Sequence, residues 1–272
     1  MVFAGLDVGS RSIELVFLKG GEITLFRRVD TGFNPLPQCR KMLDGLRWNR
    51  LVATGYGRKL IASQLEADTI TEIQAYGLGA RFFFPACATV LDIGGQDTKV
   101  IALSSGGRVT KFEMNDRCAA GTGKFLEFMA ASLSLPLSEF GRFALSGAPG
   151  ITINSMCTVF AETEATSLMA QGRRAQDIAL ALHYSVVRRS VAMLKRVGLE
   201  PPMVFAGGVA RNPCIARLVR EATGMDILIP HQPDMVGALG AALFGLHKGA
   251  EGSKRTGQHH VSERRPAFPR LR

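Results

Sequence analysis

Two of the five cysteines lie in motifs that differ from a buried strand. Cys118 lies in NDRCAAGTG, just before a predicted helix, and Cys157 lies in NSMCTVFAETE. Thiolates are common ligands of zinc and iron–sulfur centres, which usually take four protein ligands. One chain supplies two such thiolates, whereas two identical chains around a two-fold axis supply four. The two motifs therefore predict a metal centre that two copies of the chain share.

The other three cysteines have no such context. Cys39, Cys87 and Cys214 form no CxxC motif, and the odd total argues against a disulfide framework. We interpret them as small buried hydrophobic side chains. The same interpretation would be the simpler one for Cys118 or Cys157 alone, and it is their two matching contexts that favour a metal centre.

A unit consisting of a strand, an aspartate–glycine turn and two further strands occurs twice, over residues 2–28 and 88–114. Asp7 and Asp92 end the first strand of each unit. Glycine turns let backbone N–H groups approach phosphate oxygens, and a carboxylate at a strand end can hold Mg²⁺ through water. The repeat predicts two similar lobes with a phosphate-binding cleft between them.

Helical periodicity predicts helices over residues 36–46, 71–81, 123–133, 162–171 and 175–197, and residues 50–53 form a predicted strand. Gly207 and Gly208 lie between a strand and a helix, where a flat adenine or ribose can lie against the backbone. We expect lobe I to contain residues 1–86 and 234–247, and lobe II residues 87–233.

The formal net charge of +10 invites a nucleic-acid interpretation, but its distribution does not support one. Residues 248–272 hold seven basic and two acidic side chains, which is half of the net positive charge of the chain. This segment shows no apolar periodicity. We expect this segment to be a disordered basic tail. No apolar run has the length of a membrane span, and the N-terminus does not resemble a signal peptide. The sequence therefore predicts a cytoplasmic protein with no nucleic-acid or membrane partner.

Five segments resemble the BadF/BadG/BcrA/BcrD ATPase family, which includes activators of 2-hydroxyacyl-CoA dehydratases such as 2-hydroxyglutaryl-CoA dehydratase. The segments are ATGYGR at 53–58, LDIGGQDTKVI at 91–101, MNDRCAAGTGKFL at 114–126, CTVFAETE at 157–164 and AGGVARN at 206–212. The resemblance spans residues 2–247. It implies an α/β fold of the actin/sugar-kinase/Hsp70 type, with two lobes built on duplicated ribonuclease-H-like units.

The resemblance also implies cofactors and partners. ATP and Mg²⁺ would bind in the cleft. Each member of a homodimer would contribute Cys118 and Cys157 to one 4Fe-4S cluster on the two-fold axis. A ferredoxin or flavodoxin would supply the electron, and ATP hydrolysis would drive its transfer to an acyl-CoA dehydratase or reductase component.

Further residue roles follow from the resemblance. Asp7 and Asp92 would organise Mg²⁺ and the attacking water, and Gln96 is a further candidate catalytic residue. Glu162 or Glu164 would face the γ-phosphate or else cap a helix. Asn212 would hold adenosine together with Gly207 and Gly208. The residues expected around the phosphates are Gly9, Ser10, Arg11, Ser12, Gly94, Gly95, Gln96, Asp97 and Thr98.

The first phosphate motif departs from the family pattern, which has small hydroxyl residues followed by a lysine. Here Arg11 interrupts the run and Glu14 takes the lysine position. Arg11 is a candidate phosphate donor, and Glu14 either joins the site or points away from it. Tyr76 also stands where a histidine is common. The alternatives are the ATPase component of a benzoyl-CoA reductase or another iron–sulfur reductase, a small-molecule kinase, and a nucleotide-binding regulatory module.

Overall fold

The computed structural model describes residues 1–153 and 157–255, and it contains two five-stranded sheets. The first sheet has the order β3-β2-β1-β4-β5. Its strands are β1 (Val2–Val8), β2 (Ser12–Lys19), β3 (Glu22–Asp30), β4 (Arg50–Thr54) and β5 (Asp68–Thr69). The first three strands pair antiparallel through short turns, while β4 runs parallel to β1. β1 and β2 read as nearly continuous apolar runs because both faces of their sheet are covered.

The second sheet repeats this arrangement in the order β10-β9-β6-β7-β8. Its strands are β6 (Thr89–Ile93), β7 (Thr98–Leu103), β8 (Val109–Asn115), β9 (Met203–Ala206) and β10 (Ile227–Leu228). β6, β7 and β8 pair antiparallel, and β9 runs parallel to β6, as β4 does to β1. The duplicated unit predicted from the two aspartate–glycine turns is therefore present in the folded chain.

Nine α-helices cover the sheets within the described residues. They are α1 (Pro35–Leu43), α2 (Arg58–Leu65), α3 (Glu72–Phe83), α4 (Gly123–Ser132), α5 (Leu137–Leu145), α6 (Thr158–Ala170), α7 (Ala175–Val197), α8 (Pro213–Thr223) and α9 (Val236–Arg255). The five predicted helices correspond to α1, α3, α4, α6 and α7. None of the helices in the described part of the chain is both long and apolar enough to cross a membrane.

Helices α3 and α9 pack closely on each other, and glycines make this approach possible. A Cβ at Gly240 would overlap the backbone of Ala75, and one at Gly79 would overlap the backbone of Val236. Gly240 and Gly79 therefore allow the backbones of the two helices to come into contact. α9 also packs on β1, β2 and β4. Together α3 and α9 connect the first sheet with the second.

Helix α9 extends into the segment predicted as a basic tail. Helix α9 continues to Arg255, eight residues beyond the boundary expected after His247. The Lys248 ammonium lies 4.7 Å from the centre of the Phe244 ring, a cation–π contact one turn apart on the helix. The rest of the predicted tail, residues 256–272, lies outside the described residues.

Candidate functional site

Asp7 and Asp92 occupy equivalent positions at the ends of β1 and β6. Each faces a glycine that follows the neighbouring parallel strand, Gly55 after β4 and Gly207 after β9. Both glycines have positive φ, +85° and +82°. A Cβ at Gly55 would lie 2.5 Å from Asp7 Oδ1, and one at Gly207 would overlap Asp92 Oδ1. Both positions therefore require glycine for backbone conformation and for space.

The two predicted phosphate turns, residues 9–12 (the first turn) and 94–97 (the second turn), have the same geometry and face each other. The Gly9 N–H donates to the Ser12 carbonyl at 3.0 Å, and the Gly94 N–H donates to the Asp97 carbonyl at 2.9 Å. A Cβ at Gly95 would lie 2.8 Å from Arg11 Cβ. The structure thus brings the two turns together between the lobes.

Thr31, which the sequence did not single out, holds the first turn. Its hydroxyl donates to the Gly9 carbonyl at 2.8 Å, and its backbone N–H donates to the Arg11 carbonyl at 3.0 Å. The side chain is buried. A single threonine after a strand carries no recognisable sequence signal, so the structure alone reveals this support.

Lys99 is the buried cation of the second turn. Its ammonium lies 2.7 Å from Asp97, 2.9 Å from Glu72 and 3.0 Å from Asp92. Burial alone would lower the pKa of Lys99, but these carboxylates outweigh burial and hold the pKa well above its ordinary value. Since Glu72 begins α3 and Lys99 lies on β7, the contact also joins α3 to the second sheet.

Asp92 retains one free acceptor. Burial raises its pKa to about 6 against the opposing attraction of Lys99. Oδ2 accepts from Lys99, whereas Oδ1 is buried and has no hydrogen-bond partner within the described residues. An unsatisfied carboxylate oxygen at a strand end suits Mg²⁺ or its water shell, so the residues present fit this ion.

The first turn has a different charge arrangement. Glu14 on β2 lies directly opposite Asp7. Burial and then Glu14 raise the pKa of Asp7 well above its usual value, and burial raises the pKa of Glu14 to about 7. Glu14 Oε1 lies 3.2 Å from Arg28 Nε. Glu14 is thus buried in the lobe and paired with the cation of the next strand.

Three predicted ligands have side chains that already contact protein groups. Arg11 lies 3.4 Å from Glu127 on α4. The Thr98 hydroxyl donates to the Gly121 carbonyl at 2.8 Å. Asn212 Oδ1 accepts from the first two free N–H groups of α8 that follow Pro213. Gln96, by contrast, is exposed. The assignment of these residues as nucleotide ligands stays a prediction.

Asn212 is held by a histidine that the sequence did not identify. His183 is buried on α7, and its Nε2 lies 3.0 Å from Asn212 Nδ2. His183 Nδ1 lies 2.7 Å from the Ala179 carbonyl. Burial lowers the pKa of His183 to about 4, so the neutral ring can donate at Nδ1 and accept at Nε2.

Residues 116–122, which connect β8 to α4 and are called here the Cys118 loop, are attached directly to the second phosphate turn. The Gly123 N–H donates to the Gly94 carbonyl at 2.9 Å, and the Lys124 N–H donates to the Gly95 carbonyl at 2.7 Å. These are the first residues of α4. The Asn115 amide donates to the Cys118 carbonyl at 2.9 Å. The loop is therefore held at both ends, by β8 and by the turn.

Cys118 and Cys157 differ from the other cysteines in exposure. Both are exposed free thiols, and Cys157 immediately precedes α6. Residues 154–156 lie outside the described part of the chain. Cys39, Cys87 and Cys214 are buried, and burial raises the pKa of their thiols to about 12, 11 and 12. Only accessible thiols suit a centre shared with a second chain, so Cys118 and Cys157 fit such a group.

Glu162 lies on α6, in a shallow depression lined by residues of that helix. Within the described ranges no hydrogen bond or ion pair joins Glu162 to Asp7 or Asp92. No group of three or more metal-ligating side chains is found in this part of the chain.

Comparison with known proteins finds relatives along almost the whole chain. The model of the BadF/BadG/BcrA/BcrD ATPase family matches residues 33–245. The chain is 37% identical to the 2-hydroxyisocaproyl-CoA dehydratase activator of Clostridioides difficile, covering 93% of this chain and 98% of the relative. It is 36% identical to the (R)-2-hydroxyglutaryl-CoA dehydratase activating ATPase of Acidaminococcus fermentans, covering 91% and 98%.

Solved structures agree with the fold class expected from the sequence. The 2-hydroxyisocaproyl-CoA dehydratase activator from Clostridium difficile with bound ADPNP superposes with a TM-score of 0.86 at 35% identity, covering 96% of this chain and all of that one. The ethanolamine utilization protein EutJ from Carboxydothermus hydrogenoformans gives 0.61 at 16% identity, over 90% of each chain, which shows the fold alone. The two-lobed actin/sugar-kinase/Hsp70-like fold is confirmed.

Proposed function

This chain belongs to the BadF/BadG/BcrA/BcrD ATPase family, and we propose that it uses ATP hydrolysis to deliver a low-potential electron to a 2-hydroxyacyl-CoA dehydratase. The relatives named as dehydratase activators cover more than nine-tenths of the chain. A component of the benzoyl-CoA reductase of Thauera aromatica is related over 96% of the chain but is only 27% identical. The dehydratase is therefore the preferred partner over a reductase component.

The observation that carries this proposal is the attachment of the Cys118 loop to the second phosphate turn. Gly94 and Gly95 accept hydrogen bonds from the first two residues of α4, and Thr98 donates to Gly121 within the loop. A shift of the turn on nucleotide binding or hydrolysis would therefore move the segment that carries Cys118. Such a connection couples two sites through a rigid element.

ATP would occupy the cleft between the two turns. Asp7 and Asp92 would hold Mg²⁺ through its water shell, with Gln96 near the attacking water. The turns would supply N–H groups to the phosphates, and residues 207–212, here called the adenosine loop, would receive the adenosine. Phosphoryl transfer depends mostly on such positioning and charge neutralisation.

Cys118 and Cys157 from each of two chains would hold one 4Fe-4S cluster in a homodimer. The cluster would supply one-electron redox chemistry, with a ferredoxin or flavodoxin as the donor. This chain's part is to present two accessible thiols, one beside the N-terminus of α4 and one before α6. The proposed cellular site is the cytoplasm.

The test is the iron content of protein purified without oxygen. The parent should carry about four irons per dimer, as four thiolate ligands allow. Cys118→Ser and Cys157→Ser should each lose the iron, while Cys39→Ala and Cys214→Ala, which remove buried thiols, should retain it. Full iron content in either serine variant would contradict the ligand assignment.

A further inference from the structure

An ion-pair chain connects the first lobe with the adenosine loop. It consists of Glu14 on β2, Arg28 on β3, Asp234 before α9 and Arg211 near the end of the adenosine loop, and is called here the Asp234 bridge. Asp234 Oδ1 lies 2.6 Å from Arg211 Nη2, and Asp234 Oδ2 lies 3.2 Å from Arg28 Nε. One carboxylate thus holds two guanidinium groups from different parts of the fold.

The duplicated units differ at this place. In the second unit, Asp92 faces Lys99 on the adjacent strand. In the first unit, Asp7 faces Glu14, and the cation lies one strand further out, at Arg28. The cation that pairs with Glu14 in the first unit is therefore a residue that is also attached to Asp234.

The two carboxylates of the Asp234 bridge are buried, which strengthens their contacts with the arginines. Asp234 is 7% exposed and Glu14 is 5% exposed. Removing the partner of a buried carboxylate destabilises a protein much more than removing the partner of an exposed one. Hydrogen bonds between ionised groups are also about twice as strong as those between neutral groups. The side chains of Arg28 and Arg211 are 44% and 49% exposed, so Asp234 is the buried centre of the bridge.

The backbone around Asp234 is also in contact with both nucleotide motifs. The Gly207 N–H donates to the carbonyl of Pro233 at 2.9 Å. On the other side, a Cβ at Gly237 would overlap the Asp7 carboxylate. Asp234 thus lies between the start of the adenosine loop and the strand-end aspartate of the first lobe.

We propose that Asp234 is a positioning residue for nucleotide binding, because it fixes the adenosine loop through Arg211 and the first lobe through Arg28. The inference rests on the proposed binding of ATP in this cleft. It concerns how firmly the nucleotide is held and leaves the chemistry to other groups. Loss of the Asp234 charge should therefore raise the Kd and the KM more than it lowers kcat.

The experiment measures the Kd of ADP by calorimetry on full-length protein purified without oxygen. Asp234→Asn should raise the Kd roughly tenfold, on the scale of one charged hydrogen bond. Asp226→Asn, the same change at an exposed residue, should leave it unchanged. The KM for ATP should rise in parallel with the Kd, with kcat within about twofold of the parent.

A second variant covers the case in which Asp234→Asn does not fold. Arg28→Gln changes a half-exposed residue and should also weaken ADP binding, whereas Arg47→Gln at an exposed site should not. If Asp234→Asn folds, combining it with Arg28→Gln should raise the Kd of ADP little further, because the effects of two residues in one ion-pair chain are not additive.

The outcomes separate this inference from the proposed function. If the parent binds ADP and both Asp234→Asn and Arg28→Gln bind it equally well, the positioning role is wrong and the proposed function stands. If the parent binds no nucleotide, the proposed function fails and the inference fails with it. A loss of kcat with unchanged Kd and KM would also overturn the inference.

Discussion

Asp7 lies directly opposite Glu14 on adjacent antiparallel strands, so two buried carboxylates face each other in the first lobe. At the equivalent place in the second lobe, Asp92 faces the ammonium of Lys99. The two lobes therefore share a backbone arrangement but not a charge arrangement. Stability and catalysis should respond differently to substitutions in the two lobes.

Glu14→Gln should change the pH dependence of stability. The pKa of Glu14 is raised to about 7 when folded, against about 4.5 when unfolded, so the folded state binds the extra proton between these values. The parent should lose this contribution as pH rises from about 4.5 to 7. The unfolding free energy of Glu14→Gln relative to the parent should therefore increase over this range in denaturant titrations. A constant difference between pH 5 and pH 8 would contradict the raised pKa.

His183 should act in the opposite pH direction. Its pKa is lowered to about 4 when folded, against about 6.5 when unfolded, so the unfolded state takes up a proton first as pH falls. The unfolding free energy should fall by about 2 kcal/mol between pH 8 and 5 from this residue alone. His183→Gln should remove that slope. An unchanged slope in the variant would show that other groups cause it.

The strand-end aspartates should be needed for ATP hydrolysis. Asp7→Asn and Asp92→Asn should each lower kcat by roughly 10²-fold, the scale of losing one preorganised electrostatic group. Iron content should stay at the parent level, because no hydrogen bond or ion pair joins either aspartate to the described residues of the two cysteine motifs. Asp226→Asn is the control, and equal ATPase rates in all four proteins would refute the cleft assignment.

Asn115→Ala should separate ATP hydrolysis from electron transfer. The variant removes the amide that donates to the carbonyls of Cys118 and Ala120, so the Cys118 loop loses its attachment to β8. We expect ATPase activity within a few-fold of the parent and a larger loss of partner activation. Thr110→Val, at an exposed site on the same strand, is the control. If Asn115→Ala activates the partner as the parent does, this attachment does not contribute to the coupling.

Much of the fold could be predicted from the sequence because the duplicated strand units and glycine turns are local patterns. Helix α7 begins and ends where its periodicity indicates, at Ala175 and Val197. Helix α2 was not predicted, because the glycines of ATGYGR indicate a turn, although the helix already begins at Arg58. Charge and glycine content likewise mask the helical continuation of α9 to Arg255.

Contacts within the site could be predicted only where a single sequence motif contains both of the contacting residues. The DIGGQDTK segment includes both Asp92 and Lys99, so the sequence already displays their spacing. Only tertiary packing brings Thr31, just after β3, to the carbonyl of Gly9, and Asp234, just before α9, to Arg28. Contacts between distant segments leave no signal in a single sequence.

The central claim is that ATP hydrolysis drives an electron through the Cys118 centre to a dehydratase. The most direct measurement is the dehydration of a 2-hydroxyacyl-CoA by a purified dehydratase mixed with this protein, a reduced ferredoxin or flavodoxin, and nucleotide. We predict activity with ATP, none with ADPNP, and none with Cys118→Ser even when ATP is present. Activation by Cys118→Ser at the rate of the parent, or activation by ADPNP equal to that by ATP, would contradict the claim.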